Sequence, residues 1–213
     1  MSETVADPQG AFTAAGVPRK GVRVANLLTL SRIALSPFFV WAFLAGHTGE
    51  HSIRAQWIAL AIAVSFELTD AFDGWVARRR NEVSDFGKIL DPLADSVSRF
   101  TVFLAFLVEG WASVWAIAPL FWRDSIVSTV RVLAASQGVI VSARFSGKLK
   151  AVVQGGAIVG ILAAACFRET LGWELDDVKI LSGRLMTFVA AVTVYSLFDY
   201  LVGNRKVLAS LDA

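Results

Sequence analysis

The chain has 213 residues, of which 55% are hydrophobic and 18% charged, and its mean hydropathy is +0.59. Soluble domains carry about a quarter charged residues, so this composition points to lipid as the surrounding solvent. A formal charge of +2 excludes a field strong enough to gather nucleic acid, and a single cysteine, Cys166, excludes an internal disulfide or a thiolate metal cluster.

Residues 1–25 are mixed and polar, with Pro8, Gly10, Gly16 and Pro18, and lack the basic start and apolar core of a signal peptide. They read as a cytosolic N-terminal segment. A hydrocarbon core of roughly 30 Å takes about 20 apolar helical residues to cross. Six stretches qualify: Leu27–Ala45, Ala55–Phe72, Pro92–Glu109, Val114–Ala134, Val152–Phe167 and Ile180–Val202. The expected fold is therefore all-α, a polytopic membrane protein whose six transmembrane helices form one domain over residues 26–204, with a cytosolic tail over 205–213. The fifth stretch is rich in small residues, Gly155, Gly156 and Gly160 among them, which lets helices approach closely. Trp41, Trp57, Trp111, Trp115 and Trp173 fall near span ends, where aromatic anchors collect.

Twelve of the 20 basic residues fall on one side of this six-helix arrangement, while Arg54, Arg168 and Lys179 fall on the other. By the positive-inside rule, both termini and the second-to-third and fourth-to-fifth connections are cytoplasmic. His47 and His51 lie in the first outward connection and read as solvated rather than catalytic.

Charges within spans are costly and mark polar cavities or functional sites. Here Glu67, Asp70 and Asp73 end the second span, and Asp91 and Asp95 begin the third. Asp70 and Asp73 share a helix face, as do Asp91 and Asp95. The short cytoplasmic connection brings the two helix ends together, so that four carboxylates converge and repel one another unless neutralised. Oxygen donors suit hard cations, and four carboxylates are enough for two Mg²⁺ or Mn²⁺ ions. The plainer reading, helix caps and pairs with Arg78, Arg79, Arg80 and Lys88, suits one aspartate better than four at these spacings. Gly74 and Ala77 keep one helix face shallow, Gly87 does so on the facing helix, and Arg78 offers a planar fork for phosphate oxygens.

Asp70, Asp73, Gly74, Ala77, Arg78, Gly87, Asp91 and Asp95 match the signature of the CDP-alcohol phosphotransferase family at each of its eight defining positions over 26 residues. The resemblance implies a dimeric six-helix membrane enzyme with a cytoplasmic active site. It implies that Asp70, Asp73 and Asp91 bind a pair of Mg²⁺ or Mn²⁺ ions, with Asp95 also near the metals and acting as general base. Gly74, Ala77 and Gly87 would make room for the cytidine nucleotide, and Arg78 would contact its phosphates. Outside the signature, the chain looks most like the bacterial phosphatidylglycerophosphate synthase branch. Asn26, Thr29 and Arg32 followed by Pro37 resemble its first helix, which assigns those three polar residues to the CDP-lipid. Arg123, Asp124, Arg131, Lys148, Lys150 and Gln154 resemble its fourth and fifth helices. Asp124 stands where Glu is expected, Ala151 where Thr is usual, and Ser96 where Lys follows the last aspartate.

The implied reaction joins the phosphatidyl group of CDP-diacylglycerol to an alcohol and releases CMP. Arg123, Arg131, Lys148 and Lys150 are candidates for holding the phosphate of glycerol 3-phosphate, with positive-inside anchoring as the competing reading of the lysines. Arg123 could instead be structural, paired near Asp124. Phosphatidylglycerol and inositol phosphate, as in cardiolipin and inositol-lipid synthesis, are alternative acceptors. The implied location is a bacterial inner membrane, as a homodimer among membrane lipids and without nucleic acid. A metal-coupled transporter is the rival class, but its carboxylates belong at the midplane and its halves repeat; neither feature is seen in the sequence. A non-catalytic scaffold would have no use for the four aspartates.

Overall fold

The computed structural model describes residues 24–47, 52–80, 85–137 and 144–210. Every element among them is helical: α1 (Val24–Ala45), α2 (Ser52–Arg80), α3 (Asp85–Val108), α4 (Val114–Ser136), α5 (Phe145–Phe167), α6 (Leu175–Gly203) and the short α7 (Arg205–Ser210). The six long helices coincide with the six predicted stretches. The second, third and fifth helices run further toward the predicted cytoplasmic side, and α7 occupies the stretch read as a tail. Residues 1–23, including most of the predicted N-terminal segment, and His51 lie outside the described residues.

The long helices form a ring. α1 packs against both α2 and α3, α2 against α5, α5 against α6, and α6 against α4, which returns to α3. The interior is aromatic toward α1: Phe39, Phe43, Phe66, Phe103, Phe106 and Trp111 are all buried. Trp111, expected at the interface, is 1% exposed. Its ring lies 5.0 Å from that of Phe43 and 5.2 Å from that of His47. His47 is likewise drawn against this cluster, donating from Nδ1 to the Phe43 carbonyl at 2.8 Å, because it stands one turn after Phe43 and packs its ring on those of Phe43 and Trp111. It is not the solvated residue expected from its position. Trp41, Trp57, Trp115 and Trp173 are exposed, as predicted for anchors.

Two turns close by the same chemistry. After α3, Gly110 adopts φ +71° and Trp111 N–H returns to the Phe106 carbonyl at 2.7 Å. After α5, Gly172 adopts φ +67° and Trp173 N–H returns to the Arg168 carbonyl at 2.8 Å. Both are Schellman ends, in which a left-handed residue lets orphan carbonyls be satisfied. The hydrophobic contact that accompanies the motif is present in the first, where the Trp111 and Phe106 rings are 5.7 Å apart. α4 then starts on Ser113, whose hydroxyl accepts the Ala116 N–H at 3.2 Å.

By length and composition α5 and α6 can each cross a membrane, and α1 carries a shorter apolar run, Thr29–Ala45. The other long helices carry charges well inside their length: Glu67 and Asp70 in α2, Asp95 and Arg99 in α3, and Arg123, Asp124 and Arg131 in α4. The outer surface is nonetheless apolar, with Phe38, Trp41, Phe121, Trp122, Phe188 and Phe198 each more than half exposed.

Candidate active site

The polar groups that composition keeps off the outer surface meet inside the ring. Three long helices contribute to the first cluster, and α5 closes it. On α1, Thr29 and Arg32 lie one turn apart and are buried, at 0% and 1% exposure. Arg32 donates from Nη1 to Asp70 Oδ1 on α2 at 3.1 Å, and the Asp70 side chain remains 48% exposed. On α3, Arg99 sits one turn after Asp95 and reaches it through Nε at 3.0 Å. The same guanidinium meets Glu67 Oε2 of α2 at 3.4 Å. Toward α5 it donates to Gln154 Oε1 and to the Ala151 carbonyl, each at 3.4 Å. Gln154 passes the chain of bonds to Thr193 on α6, again at 3.4 Å.

Asp70, Glu67 and Asp95 therefore occupy one region, close enough to act on one another electrostatically. A carboxylate in apolar surroundings is stable only when paired, and here buried arginines supply the pairing from behind. Asp70 and Asp95 each keep about a third or more of their surface open. Oxygen donors of this kind fit a hard divalent cation. Among the described residues no group of three or more metal-ligating side chains is gathered. The backbones of Asp73, Gly74, Ala77 and Arg78 extend α2, and those of Gly87 and Asp91 lie in α3. Their side chains, and that of Asn26 on α1, lie outside what is described.

A second cluster joins α4, α5 and α6. Asp124 accepts Lys150 Nζ at 2.5 Å and Arg123 Nη1 at 2.9 Å. Arg123 also donates to Ser196 on α6 at 3.4 Å. Lys150 is 6% exposed and lies within electrostatic range of Asp95 and Arg99, so the two clusters adjoin. Gly147 leaves room for the Arg123 guanidinium, since a β-carbon there would come within 3.2 Å of it. Of the four cations predicted to hold an acceptor phosphate, Arg123 and Lys150 are thus brought together, and both share one aspartate. Arg131 is exposed, with its guanidinium carbon 6.0 Å from the centre of the Tyr200 ring. Lys148 faces outward in the first turn of α5.

At the start of α5, Arg144 clasps Asp199 of α6 through two bonds of 2.7 and 2.8 Å, and Ser146 adds a third to the same carboxylate at 2.5 Å. The hydrogen bonds that Arg144 donates to Asp199 raise its pKa above the ordinary value. This clasp ties the entrance of α5 to the end of α6.

Arg99, Glu67 and Asp199 were not among the predicted site residues. Arg99 and Glu67 had a usable signal, because both are charges within apolar spans and Arg99 stands four residues after Asp95. Arg99 also returns, one turn later, a cation near the position where Ser96 replaces the usual Lys. For Asp199 the sequence carried no pointer to its partner 55 residues away.

A family model described as CDP-alcohol phosphatidyltransferase matches residues 22–195. The chain is 34% identical over 186 residues to the CDP-diacylglycerol–glycerol-3-phosphate 3-phosphatidyltransferase of Yersinia pestis (strain Pestoides F), covering 84% of this chain and 93% of that one. It is 34% identical over 193 residues to the protein of the same description from Sodalis glossinidius, covering 86% and 96%. With that of Bacillus subtilis (strain 168) it shares 30% over 178 residues, covering 80% and 92%.

Proposed function

The chain belongs to the CDP-alcohol phosphatidyltransferase family and is a transferase, and on that basis we propose that it moves the phosphatidyl group of CDP-diacylglycerol onto glycerol 3-phosphate. The observation that carries this reading is the eight-residue signature set on α2 and α3, with Asp70 and Asp95 at its two ends each held by a buried arginine. The choice of acceptor draws on the relatives named above and on the Arg123–Asp124–Lys150 cluster beside Asp95.

In the proposed reaction the acceptor hydroxyl attacks the lipid-side phosphorus. An oxygen–phosphorus bond forms, the bond to the CMP oxygen breaks, and the hydroxyl proton passes to Asp95. Asp95 suits that task because one of its oxygens lies 3.0 Å from the Arg99 guanidinium and the side chain stays partly open. Asp70, Asp73, Asp91 and Asp95 would hold two Mg²⁺ or Mn²⁺ ions, which when bound neutralise charge on the diphosphate. Arg32 orients Asp70 from the buried side. Gly74, Ala77 and Gly87 give the nucleotide room, Arg78 takes its phosphates, and Asn26, Thr29 and Arg32 line the CDP-lipid side. Arg123 and Lys150, with Arg131 and Lys148 nearer the rim, draw in the acceptor phosphate.

The site belongs in a membrane. Exposed aromatic and aliphatic side chains cover the outside of the bundle, a surface that water would disfavour. We carry six spans, a bacterial inner membrane, cytoplasmic termini and a homodimer as parts of the same reading.

The test is CMP release by the purified protein in detergent with CDP-diacylglycerol and a panel of acceptors. Glycerol 3-phosphate should support turnover, a chelator should abolish it, and Mg²⁺ or Mn²⁺ should restore it. Turnover with phosphatidylglycerol or inositol phosphate but not glycerol 3-phosphate would replace the acceptor. Full activity in EDTA would remove the metals from the mechanism.

A further inference from the structure

Glu67 lies outside the signature, yet it shares the Arg99 guanidinium with Asp95. The Arg99 side chain is 8% exposed, those of Glu67 and Asp95 28% and 35%. A guanidinium so buried must be neutralised. With Asp95 alone it would draw both oxygens of that carboxylate into a two-pronged pair, the geometry arginine favours. Glu67 Oε2 takes Nη2, the nitrogen that shares an edge with Nε, and Gln154 and the Ala151 carbonyl take Nη1. Asp95 is then left an ion pair with Nε alone, its Oδ1 3.0 Å away but out of line for a hydrogen bond.

The position of Glu67 depends on Gly155. A β-carbon built on Gly155 would overlap the Glu67 carboxylate. The absence of a side chain on α5 is what lets that carboxylate sit between the helices and face Arg99. Gly155 thus serves a carboxylate as well as the helix contact that small residues permit.

We propose that Glu67 is a positioning residue for the transfer reaction: by occupying Nη2 of Arg99, it keeps Asp95 from a two-pronged pair and leaves it an oxygen free for the acceptor hydroxyl, and Gly155 makes the room it needs. The inference rests on the reading of Asp95 as the proton acceptor. Glu67 itself touches no substrate, so its loss acts on the chemical step and spares both binding steps.

The test compares Glu67→Gln, Glu67→Asp, Gly155→Ala and the double variant Glu67→Gln/Gly155→Ala, each purified in detergent and checked for a monodisperse folded state. Glu67→Gln should lower kcat about tenfold or more, with KM for CDP-diacylglycerol and for glycerol 3-phosphate within about twofold of wild type. Gly155→Ala, which displaces the carboxylate without removing its charge, should lower kcat in the same way. The double variant should be no slower than the worse single one, because both changes act through one contact. Glu67→Asp should fall between wild type and Glu67→Gln. The inference is overturned if folded Glu67→Gln keeps kcat within about twofold, if KM rises in step with the loss, or if the two effects multiply. Asp95→Asn, run alongside, separates the layers. If Asp95→Asn is inactive while Glu67→Gln is normal, the positioning role alone falls. If Asp95→Asn turns over normally, the base assignment falls and takes the positioning role with it.

Discussion

Asp124 balances two cations at once, Lys150 at 2.5 Å and Arg123 at 2.9 Å, and Lys150 is nearly inaccessible. Breaking a buried pair from one side leaves an uncompensated charge, which costs about 3–5 kcal/mol. Asp124→Ala should therefore lower the thermal unfolding midpoint in detergent well beyond the shift produced by an exposed control such as Asp176→Ala. An unchanged midpoint would mean that Lys150 finds another partner. Arg131, exposed beside Tyr200, carries no such structural load. Arg131→Ala should raise KM for glycerol 3-phosphate far more than KM for CDP-diacylglycerol, the pattern expected when acceptor binding is lost. Asp95→Asn and Asp70→Asn should part company as well. The first should abolish turnover while largely keeping CDP-diacylglycerol binding, because Asp70, Asp73 and Asp91, the proposed principal metal ligands, all remain. The second should lose metal-dependent binding as well as turnover. Binding titrations with the non-reacting variants would separate the two.

The helices are set by their ends as much as by their apolar lengths. Gly110 and Gly172 hold positive φ, and nothing lies within 4 Å of a β-carbon at either position. Steric crowding from neighbours is thus excluded, and substitution acts through the backbone alone. Gly110→Ala should cost about 1–2 kcal/mol, the ordinary penalty for a side chain in the left-handed region. The readout is the unfolding midpoint, with Gly156→Ala, inside α5 and equally open, as the comparison. A Gly110→Ala midpoint equal to that of Gly156→Ala would mean the turn has refolded around another residue. The following Trp111 explains why this turn is worth keeping rigid: it delivers the indole into the cluster with Phe43, His47 and Phe106.

For the molecule as a whole, the ring arrangement puts the signature ends of α2 and α3 and the start of α5 on one side, and the turns at Gly110 and Gly172 on the other. In the orientation proposed from the positive-inside rule, the first side is the cytoplasmic one. With Cys166 replaced by Ala, a cysteine at Glu174 should react with an impermeant thiol reagent in intact cells, and one at Asn81 should be shielded. The reverse pattern would invert the orientation. Cross-linking in native membranes, followed by mass measurement of the extracted species, checks the proposed homodimer; monomer mass alone would remove it.

Some of this was written in the chain itself. Hydrophobic runs of the right length are a local property, so the six long helices and their order could be read directly. The signature was legible for the same reason: eight residues within 26 positions on two consecutive helices need no distant partner to be recognised. Asp70 and Asp95 could thus be marked as candidate site residues. What neighbours them could not, because a ring of helices places α1, α2, α3 and α5 around one point from stretches up to 122 residues apart in the example of Arg32 and Gln154. Only the packing decided that Arg99 is divided between Glu67 and Asp95, or that Asp124 holds both Arg123 and Lys150. Only packing took Trp111 from an expected interfacial position into the aromatic core and set its ring against His47, which was expected in water. In each case the side chain's environment is set by the helix lying opposite, and a sequence states which helices exist long before it states which ones face each other.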